Sequence, residues 1–158
     1  MKSVFVIDTS SLLELHHIPE DIFPSIWKEL DKLIDAGELV APHEVRREVE
    51  KGQDEIVKWA KSHSHLFKML DVEQGRHLGT VIQDFPTMAG ASHTGPFADP
   101  LVVALAMSLK SASGSSPVVV TEEVPRGPGS TKIPNLCQRY GISCVNLHGL
   151  LRVRRIRL

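Results

Sequence analysis

The sequence predicts an α/β protein, a three-layer α/β/α arrangement around a central parallel sheet. Three observations predict it. Val4-Phe5-Val6-Ile7 and Val118-Val119-Val120 are unbroken apolar runs, the pattern of strands covered on both faces. Segments with helical spacing alternate with the strand candidates, as in parallel strands joined by crossover helices. The 158 residues suit a single domain, residues 1–158, and 42% hydrophobic content suffices for one core.

Taken in order, residues 3–7 are the first strand, which runs straight into Asp8. Met1-Lys2-Ser3 is too short a lead for a signal peptide. Over 22–36, Ile22, Phe23, Ile26, Trp27, Leu30, Leu33 and Ile34 share one helical face, and Gly37 stands just past the end. Leu39-Val40-Ala41 is a short strand. Pro42 then opens a helix over about 43–51, proline being tolerated at a first helical position. Further helices fit 53–62, with Ile56, Val57 and Ala60 inward, and 73–84. Residues 86–97 are a loop by composition. Asp99-Pro100 starts the most apolar helix, which is apolar nearly all round and therefore predicted to be buried. Residues 111–116 are a turn, and residues 118–120 a second buried strand ending at Thr121-Glu122-Glu123. A Pro/Gly-rich loop over 125–131, a helix over 133–140, a strand over 142–147 and a short helix over 148–152 complete the chain.

Composition narrows the function classes. No run approaches the roughly 18 apolar residues of a membrane span, so a cytoplasmic protein without a membrane partner is expected. Two cysteines, Cys137 and Cys144, fit a reducing compartment with both thiols as small core residues, a disulfide or metal pair being the alternative. The eight histidines are scattered and show no zinc-motif spacing. The net charge of −1 hides an asymmetry: residues 1–123 carry a net −8, whereas residues 124–158 carry seven bases and no acid. A polyanion could use that basic end while carboxylates elsewhere hold metal; a solvated tail explains it equally well.

The acids carry the chemistry. In open α/β sheets, sites form beyond the carboxyl ends of strands. Asp8 directly follows the first strand, and Glu122 and Glu123 directly follow a later one. A carboxylate against a buried strand is costly unless paired, hydrogen-bonded or metal-bound, although Asp8-Thr9-Ser10 also reads as a helix cap. Glu44 and Glu48, four apart, share a helix face, either inward or solvated. Asp99 before Pro100 reads as an N-cap, and capping is compatible with metal binding. Side chains alternate across a strand, so at most one of Glu122 and Glu123 is expected to point into the site. Oxygen donors without Cys or His favour Mg²⁺ or Mn²⁺, ions that promote phosphodiester hydrolysis by activating water. The sequence has no nucleophile elbow, phosphate-binding loop or dinucleotide fingerprint.

Four stretches in this order resemble the PIN-domain superfamily, the fold of VapC-type ribonuclease toxins. They are Phe5-Val6-Ile7-Asp8-Thr9-Ser10, Pro42-His43-Glu44-Val45-Arg46-Arg47-Glu48-Val49, Ala98-Asp99-Pro100-Leu101-Val102-Val103-Ala104-Leu105-Ala106 and Val118-Val119-Val120-Thr121-Glu122-Glu123. Phe23-Pro24-Ser25-Ile26-Trp27, Lys58-Trp59-Ala60 and Lys132-Ile133-Pro134-Asn135-Leu136-Cys137 are similar to a poorly characterised bacterial subgroup. The resemblance implies Asp8, Glu48 and Asp99 as the first three metal acids, with Glu44 a lesser choice for the second, and Ser10 as support for the first. The fourth acid, usually Asp, falls at Glu123 with Glu122 adjacent. It further implies an RNA substrate, an antitoxin that covers the site, and a homodimer.

The expected function is metal-dependent endoribonuclease cleavage, with the Arg-rich C-terminal segment holding the RNA backbone by charge. A PIN-like module that binds RNA or protein without cutting is the principal rival, because Glu stands at the fourth position. A haloacid-dehalogenase-type phosphatase would want Asp where Ser10 stands, and a purely structural domain is a further alternative.

Overall fold

The structure, a computed structural model, describes residues 2–52, 55–89, 98–112 and 114–156. Five strands, β1 (Lys2–Ile7), β2 (Leu39–Pro42), β3 (Phe67–Lys68), β4 (Ser115–Val120) and β5 (Ser143–Val145), form one sheet in the order β3-β2-β1-β4-β5. Every pairing is parallel, with Phe5 opposite Leu39, Ile7 opposite Val120, and Val120 opposite Val145. Eight helices connect and cover the strands among the described residues: α1 (Thr9–Glu14), α2 (Pro24–Asp35), α3 (His43–Val49), α4 (Glu55–Ser62), α5 (Val72–Asp84), α6 (Ala98–Ser111), α7 (Ile133–Tyr140) and α8 (Leu147–Val153). The expected three-layer α/β/α architecture is the observed one.

Strand order positions the site. The chain builds outward from β1 to β2 and β3, then crosses back to place β4 on the other side of β1. The reversal between β1 and β4 is a topological switch point, where ligands bind in open α/β sheets. The interior of β1 explains its central place: Phe5, Val6 and Ile7 are fully buried. Each such side chain contributes roughly 1.5–3 kcal/mol by leaving water. α6 is buried as its uniform apolarity predicts, burying Ala98, Pro100 and the run Val102–Ala106.

Several elements differ from the sequence expectation. Pro42 is the last residue of β2 and caps α3 from outside, because its ψ of 152° is extended. α2 begins at Pro24, so Ile22 lies outside the helix and is exposed. α6 begins at Ala98, which moves Asp99 from the cap into the first turn. Three short 3-10 turns (Leu15–His17, Ser64–Leu66, Pro86–Ala89) and the two-residue β3 are too brief to show a period. The remainder of the expected 86–97 loop, residues 90–97, lies outside the described residues, as do residues 53–54 of the expected 53–62 helix, residue 113 of the 111–116 turn, and Arg157 of the basic end.

Candidate functional site

Asp8 sits at the end of β1 and is 2% exposed. Its Oδ1 accepts the Ser11 N–H at 2.9 Å, so it does cap α1. The Ser10 hydroxyl lies 2.8 and 2.9 Å from the two carboxylate oxygens, and Thr121 Oγ1 donates to Oδ2 at 2.5 Å. These hydroxyls are held in turn by β4's continuation: Ser10 Oγ accepts the Glu122 N–H and Thr121 Oγ1 accepts the Glu123 N–H. A closed ring of polar contacts therefore bridges the ends of β1 and β4 at the switch point. Three donors leave about one of the carboxylate's roughly four lone-pair sites open. Burial raises the Asp8 pKa, and so does the Glu123 charge; the bonds from Thr121, Ser11 and Ser10 oppose them.

Three further carboxylates act on one another beside Asp8. Asp99 is pushed up to about 7, first by burial and then by the charges of Glu123, Asp8 and Glu48, with a Glu123 hydrogen bond that favours the protonated acid. Glu48 is raised by burial and by Asp8, against Lys51, the Ala98 N–H and the Thr9 hydroxyl. Thr9 Oγ1 is buried near Glu48 but closes no hydrogen bond of ordinary geometry. Asp8, Glu48, Asp99 and Glu123 thus come from four separate segments to one edge of the sheet.

The two open alternatives separate cleanly. Glu44 pairs with Arg47 at 3.3 Å on the exposed side of α3, leaving Glu48 inward. Glu122 does not join the cluster: its Oε1 accepts from Ser11 Oγ at 3.0 Å and from the Leu147 N–H at 2.8 Å, tying the start of α8 to α1. Glu123 faces Asp99 and also accepts the Ile133 N–H of α7 at 2.9 Å. Sequence reading passes over Ser11 and Thr121 as donors to Asp8. The capping pattern Asp8-Thr9-Ser10-Ser11 carries the signal for the first, since a cap side chain bonds the N–H of the second or third helical residue.

Among the described residues, no group of three or more His, Cys, Asp or Glu stands arranged to hold a metal ion. The donor chemistry nevertheless suits a hard divalent cation: oxygen ligands only, partly or fully buried, with the Asp99 pKa raised to about 7 by burial and then by its acidic neighbours. Asp8, Glu48, Asp99 and Glu123 are the residues that would hold Mg²⁺ or Mn²⁺.

In the Arg-rich C-terminal segment, Arg154 is engaged in an ion pair at the starts of the strands. Arg154 Nη2 binds Glu38 at 2.7 Å; Glu38 immediately precedes β2 and also pairs with Lys2 at the start of β1. The Glu38 carbonyl accepts the Phe5 N–H at 2.8 Å, three residues before Asp8, which sets Glu38 about 10 Å from Asp8 along the strand. The basic residues on the loop following Glu123 are Arg126 and Lys132, neither of them in an ion pair among the described residues. Lys51 acts on Glu48, and Lys68 ends β3. No helix of the described residues is long and apolar enough to cross a membrane.

The crystal structure of PAE2754 from Pyrobaculum aerophilum is similar over 99% of this chain and 92% of that chain, at 16% identity and a TM-score of 0.48. No curated protein matches. Residues 5–158 match the family described as Domain of unknown function (DUF4411). That match takes in all four carboxylates and nearly the whole sequence, and the chain belongs to this family.

Proposed function

We propose that the protein is a metal-dependent endoribonuclease of PIN type. One observation carries the reading: Asp8, Glu48, Asp99 and Glu123 gather beyond the carboxyl ends of β1 and β4, where burial and then the neighbouring charges raise Asp99 to about 7. Burying like charges together is costly for stability, so their retention fits a use that needs them. A bound Mg²⁺ or Mn²⁺ supplies Lewis acidity and a more acidic water at such a site. The chain's own groups do the rest. Ser10, Ser11 and Thr121 fix the Asp8 carboxylate, which would cost 10–100-fold or so in activity if left loose. The Ile133 N–H orients Glu123, and Glu48 reaches in from α3. Arg126 and Lys132, on the loop after Glu123, and Lys68, at the end of β3, are the cations that would meet phosphates beside the C-terminal arginines.

A non-cutting RNA- or protein-binding module is the second reading. The bond from Ile133 to Glu123 favours it, because it occupies one oxygen that a metal would want. Pairing with an antitoxin, homodimer formation and a cytoplasmic location remain part of the proposal, as implications of the PIN resemblance. The test is incubation of a mixed RNA panel with purified protein in Mn²⁺, Mg²⁺ or EDTA, beside Asp8→Asn. Metal-dependent cutting lost in the variant supports the nuclease; absence of cutting in every condition, with metal still bound, supports the module.

A further inference from the structure

Four polar or charged residues are buried among the described ones: Asp8, Ser11, Thr121 and Gln74. The first three belong to the ring of hydrogen bonds around the Asp8 carboxylate. Gln74, 6% exposed in the first turn of α5, does not. Its backbone N–H is used by Asp71 Oδ1 at 2.8 Å, the cap of α5. Its side-chain amide makes no hydrogen bond among the described residues. A Gln at this helical position commonly reaches back to the N–H of the cap residue. Here it lines a cavity of about 90 Å³ instead. A buried amide without a partner is costly and calls for an explanation.

The cavity opens beside the acid cluster. Pro42, the last residue of β2, and Lys68, the last of β3, put it at the carboxyl edge of the sheet. α3 gives Glu48 to the acids and Glu44 to the cavity, and α6 gives Asp99 to the acids and Leu101 to the cavity. Four residues of helix span roughly 6 Å, so the two places are neighbours. Met69 and Leu70 also line the cavity, and they are 70% and 52% exposed, two adjacent large apolar side chains open to water. Lys68 Nζ gives one of its three donors to the His65 carbonyl at 3.1 Å and keeps two. Arg47 balances Glu44 at 3.3 Å, which leaves Lys68 as the uncompensated charge there.

We propose that this cavity is a nucleobase subsite: it takes one unstacked base of single-stranded RNA, with the Gln74 amide hydrogen-bonded to the base edge. The proposal rests on the endoribonuclease reading and names its substrate more closely. A planar base has apolar faces for Met69, Leu70 and Leu101 to cover, and an edge whose adjacent donor and acceptor match an amide. At roughly 10–15 Å³ for each water-sized site, the space takes about six to nine atoms, the size of one base. Lys68 holds the phosphate next to it. A wholly apolar partner would cover Met69 and Leu70 but leave the amide unmet, so Gln74 favours a base.

The experiment measures binding apart from cutting. Metal-free protein in EDTA at low salt is titrated against fluorescein-labelled single-stranded RNA hexamers of A, U or C, with a base-free ribose-phosphate hexamer as control, and followed by anisotropy. The parent should bind at least one base-bearing hexamer tenfold or more tighter than the control. Gln74→Met keeps the length of the side chain and removes the amide, so that advantage should fall about tenfold. Its thermal midpoint should hold or rise, because an unpartnered amide has left the interior. Equal binding of base-bearing and base-free hexamers by the parent would overturn the proposal without any variant. Unchanged binding by a folded Gln74→Met would overturn it too, as would a dimer that Met69→Asp abolishes, which gives the patch to a second copy. Base-dependent binding with no cleavage after Mn²⁺ is added keeps the subsite and removes the nuclease. Mn²⁺-dependent cleavage without base-dependent binding keeps the nuclease and removes the subsite.

Discussion

Glu38 and Asp8 stand at opposite ends of neighbouring strands, and the protein treats them in opposite ways. Glu38, before β2, is met by two cations, Lys2 at 3.3 Å and Arg154 at 2.7 Å. The same edge is tied elsewhere: Lys110 donates to the Tyr140 and Gly141 carbonyls, and Tyr140 to Asp84. Asp8, after β1, is met by neutral donors and by three other acids. Charge at one end of the sheet is cancelled by partners; at the other it accumulates. An acid with a cation beside it needs no ligand to explain it. Four acids gathered at one edge invite one.

The largest effect expected from breaking this contrast is at Asp8. Asp8→Asn keeps the acceptor for Ser11 but removes a charge, so metal-dependent RNA cleavage should fall more than about 100-fold. The thermal unfolding midpoint should stay near that of the parent or rise. Full retained cleavage would remove the acid cluster from the mechanism.

Next comes the pH response of the metal-free protein. Asp99 has a folded pKa of about 7 against an ordinary 3.8. Below 3.8 both folded and unfolded chains hold the proton; between 3.8 and 7 only the folded chain does. Folding therefore takes up a proton there, and this group's contribution to stability is lost as pH rises through that window, by a few kcal/mol in total. Thermal melts at pH 5 and pH 8 should show the fall, Asp99→Asn should flatten it, and Mn²⁺ should raise the midpoint more at pH 8 than at pH 5. An equal Mn²⁺ effect at both values would separate the metal from these acids.

Thr121→Val removes a donor from a buried carboxylate without changing shape much. A loss of about 1–3 kcal/mol in denaturant unfolding is expected, with weakened cleavage. The smallest effect lies at the other edge. Arg154→Ala breaks a partly exposed pair, worth about 1 kcal/mol or less, and should leave cleavage unchanged. A large loss of cleavage in that variant would put Arg154 in the substrate path.

Much of this contrast is legible in the sequence, and the limits have physical causes. Long, strongly patterned elements read well: the helix expected over 133–140 is Ile133–Tyr140, and Leu39-Val40-Ala41 is the body of β2. The acids read well because strand ends and helix starts are local features. Orientation does not: whether Glu122 or Glu123 turns toward Asp99 depends on the Leu147 N–H, 25 residues away. Which edge receives Arg154 depends on the direction of α8 across the sheet, and composition is silent about direction. β3 is invisible to periodicity because two residues have none.

The central place of β1 has a consequence for the order of events at birth. One side of β1 pairs with β2, some thirty residues downstream; the other must wait for β4, more than a hundred residues later. At ordinary ribosomal speeds that side stays unpaired for roughly ten seconds. An open, apolar strand edge is an invitation to the wrong neighbour. The same delay withholds Thr121 from Asp8. The acidic centre can close only once β4 and the residues after it have been made.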